Sequence, residues 1–156
     1  QALAQLGHPE QKDEALKECA ALTGAVYEGL DVSHEIRSVD RQALGDTLLL
    51  WSGVRLDGFA VCHSGAGTEA GEGACYVKFG AARTPEAFES LLGAVEELAR
   101  TRGLGRIVAG VNSGRRAAYR HLLARGFRAL SHSVAMQRRD AAGYDGPDAL
   151  VIDDWR

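Results

Sequence analysis

The side chains able to do chemistry in this chain fall into two stretches. The first surrounds the glycine-rich run Ser64–Gly73, where His63, Glu69 and Glu72 could each take a proton from a nucleophile, and Cys75 follows close behind. Gly65, Gly67 and Gly71 superficially suggest a phosphate-cradling loop. No helical pattern follows them directly, so the dinucleotide and P-loop readings fail their structural test. Cys75 with His63 would make a nucleophile pair only with a third, orienting group, which the sequence does not supply; a buried strand cysteine is the expectation. The second stretch runs from Asn112 through Arg115 and Arg116 to Tyr119. Two arginines opening a helix suit an anion, and a tyrosine hydroxyl can donate a proton.

These groups sit in a chain of ordinary globular composition. It has 156 residues, 46% apolar and 25% charged, with a formal net charge of −3. One domain over 1–156 is expected, large enough to bury a core without disulfides or metal. The three cysteines, Cys19, Cys62 and Cys75, lie far apart with no zinc-type spacing. Apolar runs such as Leu48 to Trp51 fall far short of the roughly 20 residues that cross a bilayer. No membrane association is expected, and a cytoplasmic location is. The chain begins at Gln1 and its only methionine is Met136, so an upstream segment is expected to be missing.

Charge is unevenly spread. From Leu98 to Arg139 there are ten arginines and no acid, whereas the first fifty residues carry nine acids against four bases. This predicts an anionic ligand for the C-terminal half, with Arg120, Arg125 and Arg128 as an exposed basic face. Nucleic acid is not the expected partner, because the chain is acidic overall and no aromatic residues interleave these arginines.

The elements that must position these groups follow from periodicity. Pro9 to Tyr27 reads as a helix, and a shorter helix after Ser38 ends at Gly45. Thr47 to Trp51 and Leu56 to His63 read as a hairpin, and Gly73 to Gly80 as a third strand with Cys75, Val77 and Phe79 on one face. Thr84, Pro85 and Glu86 open a strongly amphipathic helix with the stripe Phe88, Leu91, Leu92, Val95, Leu98 and Ala99, stopped at Gly103. Arg106 to Val111 is a strand, Arg115 to Ala124 a helix, and Arg128 to Gln137 and Ala149 to Ile152 are strands. The order strand, helix, strand implies a parallel pair inside a mixed α/β sheet.

The run Arg106-Ile107-Val108-Ala109-Gly110-Val111-Asn112, followed by Ala117-Ala118-Tyr119-Arg120-His121-Leu122-Leu123-Ala124-Arg125-Gly126-Phe127, resembles the second half of the GCN5-related N-acetyltransferase fold. There a strand ends in an Asn-containing loop, a helix follows, and Gly-Phe closes it. The resemblance covers roughly Thr47 to Gln137. It implies an α/β (α+β mixed-sheet) acyl-CoA N-acyltransferase fold, acetyl-CoA as co-substrate, and direct transfer to an amine of a small molecule or a protein. The resemblance places the pantetheine beside the backbone of Val77 and Phe79, and the pyrophosphate at the helix start Arg83 to Ala87, with Glu86 inside it. It also puts Arg115 near the phosphates, Asn112 and Tyr119 beside the thioester, and is compatible with a homodimer.

Two departures from the family pattern stand out. The helix start Arg83-Thr84-Pro85-Glu86-Ala87-Phe88 lacks both usual glycines, Pro85 supplies no N–H, and Glu86 sets a negative charge where a phosphate would lie. Counting back from Gly126-Phe127, the family's acidic tyrosine falls on Leu122, which cannot donate a proton; Tyr119, three residues earlier, is its substitute. The alternatives are a generic α/β sheet of unrelated function and a catalytically silent copy of the fold, serving ligand binding or dimerisation in a tandem protein.

Overall fold

Gly53 takes a left-handed φ of +62°, and there the chain reverses between its first two strands. In the computed structural model, which describes residues 1–134, 136, 143 and 145–153, β1 (Gly45–Ser52) and β2 (Arg55–Ser64) form the expected antiparallel hairpin. Strand β3 (Ala74–Ala82) continues it, antiparallel to β2. Strand β4 (Arg106–Ala109) lies parallel to β3, as the strand, helix, strand order predicts, but only from Ala74↔Arg106 to Val77↔Ala109. Beyond that rung β5 (Val151–Asp153) takes over the same edge of β3, antiparallel, from Phe79↔Asp153 to Ala81↔Val151. The result is a mixed five-stranded sheet.

Neighbouring residues on each strand enter different cores, because side chains alternate across a sheet. Leu49, Phe59 and Val61 pack with Leu16, Leu22, Ile36 and Val39 of α1 (Pro9–Val26) and α2 (Ser33–Gln42). Leu48, Ala60 and Cys62 pack with Phe88, Leu91, Leu92 and Val95 of α3 (Pro85–Thr101) and with Ala118 and Leu122 of α4 (Arg116–Ala124). Helix α3 forms where its caps say it should. The Thr84 hydroxyl accepts from the Ala87 N–H at 3.2 Å, Pro85 stands at the first helical position, and Gly103 follows with φ +66°.

The structure corrects four sequence expectations. Helix α2 starts at Ser33, not after Ser38, because the Asp31 carboxylate accepts the Ser33 N–H at 2.8 Å and turns the chain early. It ends at Ala43, in the left-handed region with φ 52°, two residues before Gly45. Gly45 serves a different purpose, since a Cβ there would stand 1.9 Å from the Cys62 carbonyl oxygen. Phe79 does not share a face with Cys75 and Val77. The register slips between Val61↔Phe79 and Cys62↔Val77, leaving Lys78 as a bulge that sends Phe79 into the α1/α2 core. Residues 128–134 of the expected strand Arg128–Gln137 are not a strand, and residues 135 and 137 lie outside the described residues.

Candidate functional site

The bulge at Lys78 and the end of the β3/β4 ladder occur at the same place. After Val77↔Ala109 the two parallel strands part, and the outer backbone edge of Phe79–Ala81 is left for another partner. That partner is β5. Along one side it pairs with β3, and the Ala82 N–H donates to the Leu150 carbonyl at 3.1 Å. Along the other side the Asp153 N–H donates to the Gly110 carbonyl, just past β4, also at 3.1 Å. Val151 enters the α1/α2 core and Ile152 the α3/α4 core, both almost completely buried. The lead-in to β5 crosses the start of α4, where the Ala117 N–H donates to the Pro147 carbonyl at 2.9 Å.

An ion pair fastens this arrangement. Arg115, at the cap of α4, donates from Nη1 and Nη2 to Oδ1 and Oδ2 of Asp153 at 2.7 and 2.8 Å, and Nη1 also reaches the Val151 carbonyl at 3.4 Å. A planar two-point match of this kind is the strongest geometry open to the two groups. The sequence reading placed Arg115 beside a phosphate; the structure places it on Asp153. The sequence reading does not single out Asp153, although a carboxylate directly following the apolar run Ala149–Ile152 was the available signal.

The start of α3 carries its own anion. Pro85 has no N–H, the Ala87 N–H goes to the Thr84 hydroxyl, and the Phe88 N–H to the Thr84 carbonyl at 2.9 Å. The exposed Glu86 carboxylate accepts its own backbone N–H and the Thr84 hydroxyl, and these bonds, its own N–H foremost, hold it below the ordinary carboxylate range. Arg83 turns towards β2: its Nε donates to the Leu56 carbonyl at 2.9 Å and its N–H to the Asp57 carbonyl at 2.8 Å. Beside it lies an open groove of about 370 Å³ between the end of α1 (Leu22, Ala25, Val26) and Asp148–Leu150.

On α4, Leu122 points into the α3/α4 core together with Leu150 and Ile152, whereas Tyr119 is half-buried. Asn112 uses its side-chain oxygen to accept the Gly114 N–H at 2.8 Å, which shapes the turn into α4. Arg125 does not join a free basic face: it donates to Glu89 at 2.7 Å and to Glu96 at 2.7 Å, while His121 lies 2.5 Å from the other Glu89 oxygen. Arg102 likewise bonds Ser64 and approaches Asp46 of β1. Four arginines of the acid-free stretch, Arg100, Arg102, Arg115 and Arg125, thus meet acids of α3, β1 and β5.

The residues around Ser64–Gly73 are not drawn together. His63 is 2% exposed, edge-on to Tyr76, with Nε2 3.4 Å from Glu35, and neither ring nitrogen makes a hydrogen bond among the described residues. Cys75 faces the α3/α4 core and shares a hydrogen bond with Cys62, while His63 pairs in register with Tyr76 on the opposite face. Glu69 is held by Lys78 at 2.7 Å, and Glu72 is exposed. Among the described residues no group of three acids, histidines or cysteines is placed to hold a metal, and no helix is long and apolar enough to cross a membrane.

No family model matches this sequence, and no curated protein is similar to it at the sequence level. Solved structures are similar in three dimensions. TTHA1254 from Thermus thermophilus is 25% identical with a TM-score of 0.60, over 84% of this chain and 95% of that one. The aminoglycoside N-acetyltransferase AAC(6')-Iy in complex with CoA is 13% identical with a TM-score of 0.62, over 81% of this chain and 90% of that one. A Trypanosoma brucei acetyltransferase is 15% identical with a TM-score of 0.61, over 81% and 94%. The parallel pair that parts beyond a bulge, the helix that follows β3, and these likenesses agree: the chain has the GCN5-related N-acetyltransferase fold.

Proposed function

We propose that this chain is an acyl-CoA-dependent acyltransferase domain that holds acetyl-CoA as substrate in the splay between β3 and β4 and passes the acetyl group directly to an amine, either a small molecule or a protein side chain. The observation that carries this reading is the parting of β3 from β4 at the Lys78 bulge, which frees the outer edge of Phe79–Ala81 from β4 for another extended partner, just before the start of α3. A pantetheine arm has two amides and pairs with a strand edge as a peptide does. The likeness to AAC(6')-Iy, solved with CoA and with a CoA-linked analogue of an aminoglycoside, supports it.

In this reading Val77 and Phe79 lend backbone groups, Arg83 and the α3 start through Ala87 face the phosphates, and Arg115, neutralised by Asp153, fixes the start of α4. Asn112 shapes the loop beside the thioester. The amine nitrogen bonds to the carbonyl carbon, the carbon–sulfur bond breaks, the nitrogen gives its proton to water, the departing sulfur takes one from the Tyr119 hydroxyl, and the Tyr119 phenolate regains a proton from water. A ligand at 100 times its dissociation constant adds about 2.7 kcal/mol to folding stability, so acetyl-CoA should raise the melting temperature, and thiol should be released when an accepted amine is added. No shift at millimolar acetyl-CoA would remove the reading.

A catalytically silent copy of the fold is the second reading. Leu122 buried at the position of the family's proton donor and the Glu86 carboxylate seated on the α3 start favour it. Binding of acetyl-CoA without thiol release across a broad amine panel would select it.

A further inference from the structure

Each of the two features that would recognise CoA already carries a group from the chain itself. The strand edge Phe79–Ala81 is paired with β5, and the first turn of α3 carries the Glu86 carboxylate beside a Pro85 that has no N–H. A three-residue strand has little stability of its own. What holds β5 is its setting: backbone bonds on both sides, Val151 and Ile152 in opposite cores, and the Arg115–Asp153 fork. A strand buried on both faces with a matched carboxylate at its end is a built-in occupant of the cleft.

We infer that β5 is a gate over the acyl-thioester cleft, competing with the pantetheine arm for the backbone of Phe79–Ala81, with Arg115 and Asp153 as its latch. This rests on the acyl-CoA reading above. Two extended chains cannot both pair with one edge of β3, so the arm enters only when 151–153 leaves. The closed state lowers the apparent affinity for CoA by the fraction of molecules that are open, and weakening the latch raises that fraction. Release also leaves the Arg115 guanidinium without its carboxylate at the mouth of the cleft, where an anionic ligand can replace it.

The test is a CoA titration by calorimetry of the parent and Asp153→Asn, with Ile152→Ala as a milder release should the first not fold, combined with amide hydrogen exchange of 150–153. The gate predicts at least a tenfold tighter dissociation constant in the released variant, and exchange at Asp153 that speeds up at least tenfold when CoA saturates the parent. Equal affinities, with 150–153 still protected while CoA is bound, would overturn the gate and leave the acyl-CoA reading standing. No CoA binding by either protein, with exchange showing the strand released in the variant, would overturn both.

Discussion

Arg115 and Asp153 meet as two parallel hydrogen bonds, 2.7 and 2.8 Å long, with only 2% and 6% of their side chains exposed. The pair joins the N-terminal cap of α4 to a strand 38 residues later in the chain. Each group is out of water, and each is costly to leave alone.

Removing one member should therefore cost far more than the pair is worth. Arg115→Met or Asp153→Leu alone should lower unfolding free energy by about 3–5 kcal/mol, while the double variant should lose well under the sum, because it leaves no buried charge. Urea denaturation of the four proteins measures this. Additive losses would mean that the two groups do not share a desolvated site.

The Glu89 cluster gives a pH signature of definite sign. Hydrogen bonds from Arg125, and then from His121, hold the Glu89 carboxyl below its ordinary value of 4.5. A carboxylate whose folded pKa is depressed adds stability above its unfolded pKa and loses it as pH falls through the folded one. The melting temperature of the parent should thus exceed that of Glu89→Gln at neutral pH, and the gap should close as pH drops below 4.5 towards the depressed value. With 36% of the side chain exposed, solvent and salt keep the difference to about 0.2–1 kcal/mol. A gap that widens in acid would contradict the assignment.

How much of this was legible in the sequence depends on whether the deciding interaction is local. Thr84, Pro85 and the Phe88–Ala99 stripe lie within one helix, and α3 appears where those residues place it. The β3/β4 parallel pair follows from the element order. The Lys78 bulge is set by pairing with β2, which no alternation within Gly73–Gly80 reveals, so alternation alone assigns Phe79 to the face opposite the one it occupies. The seat of β5 is decided by a partner strand 70 to 74 residues away, and a three-residue strand has no periodicity to read. Arg115 and Arg125 looked like anion binders because Asp153, Glu89 and Glu96 lie outside the acid-free stretch that contains them.

In the proposed mechanism Tyr119 takes the part of the proton donor that Leu122 cannot be, and its half-buried place on α4 leaves it one side towards solvent. Tyr119→Phe should lower kcat by about a hundredfold with little change in acetyl-CoA affinity, the scale of general acid help. Steady-state kinetics with any accepted amine, beside a direct binding measurement, separates the two effects. Unchanged kcat would reduce Tyr119 to packing.

Glu86 gives the sharpest electrostatic expectation. Its carboxylate sits on the α3 start, taking the N–H that a phosphate would use and setting a negative charge at the positive end of the helix dipole. Glu86→Gln keeps the side chain's size and removes the charge, so it weakens the internal occupant without removing any backbone donor. Affinity for CoA should rise by roughly two- to fivefold at low ionic strength, the scale of a single charge at a helix terminus, and the gain should shrink in high salt. Arg83→Ala should act in the opposite direction, because Arg83 adjoins the same helix start and its charge favours a phosphate there. Titrating CoA into the parent and both variants at two salt concentrations measures all of this. Three equal affinities would show that no phosphate docks at the start of α3, and that binding, where present, rests on the strand edge alone.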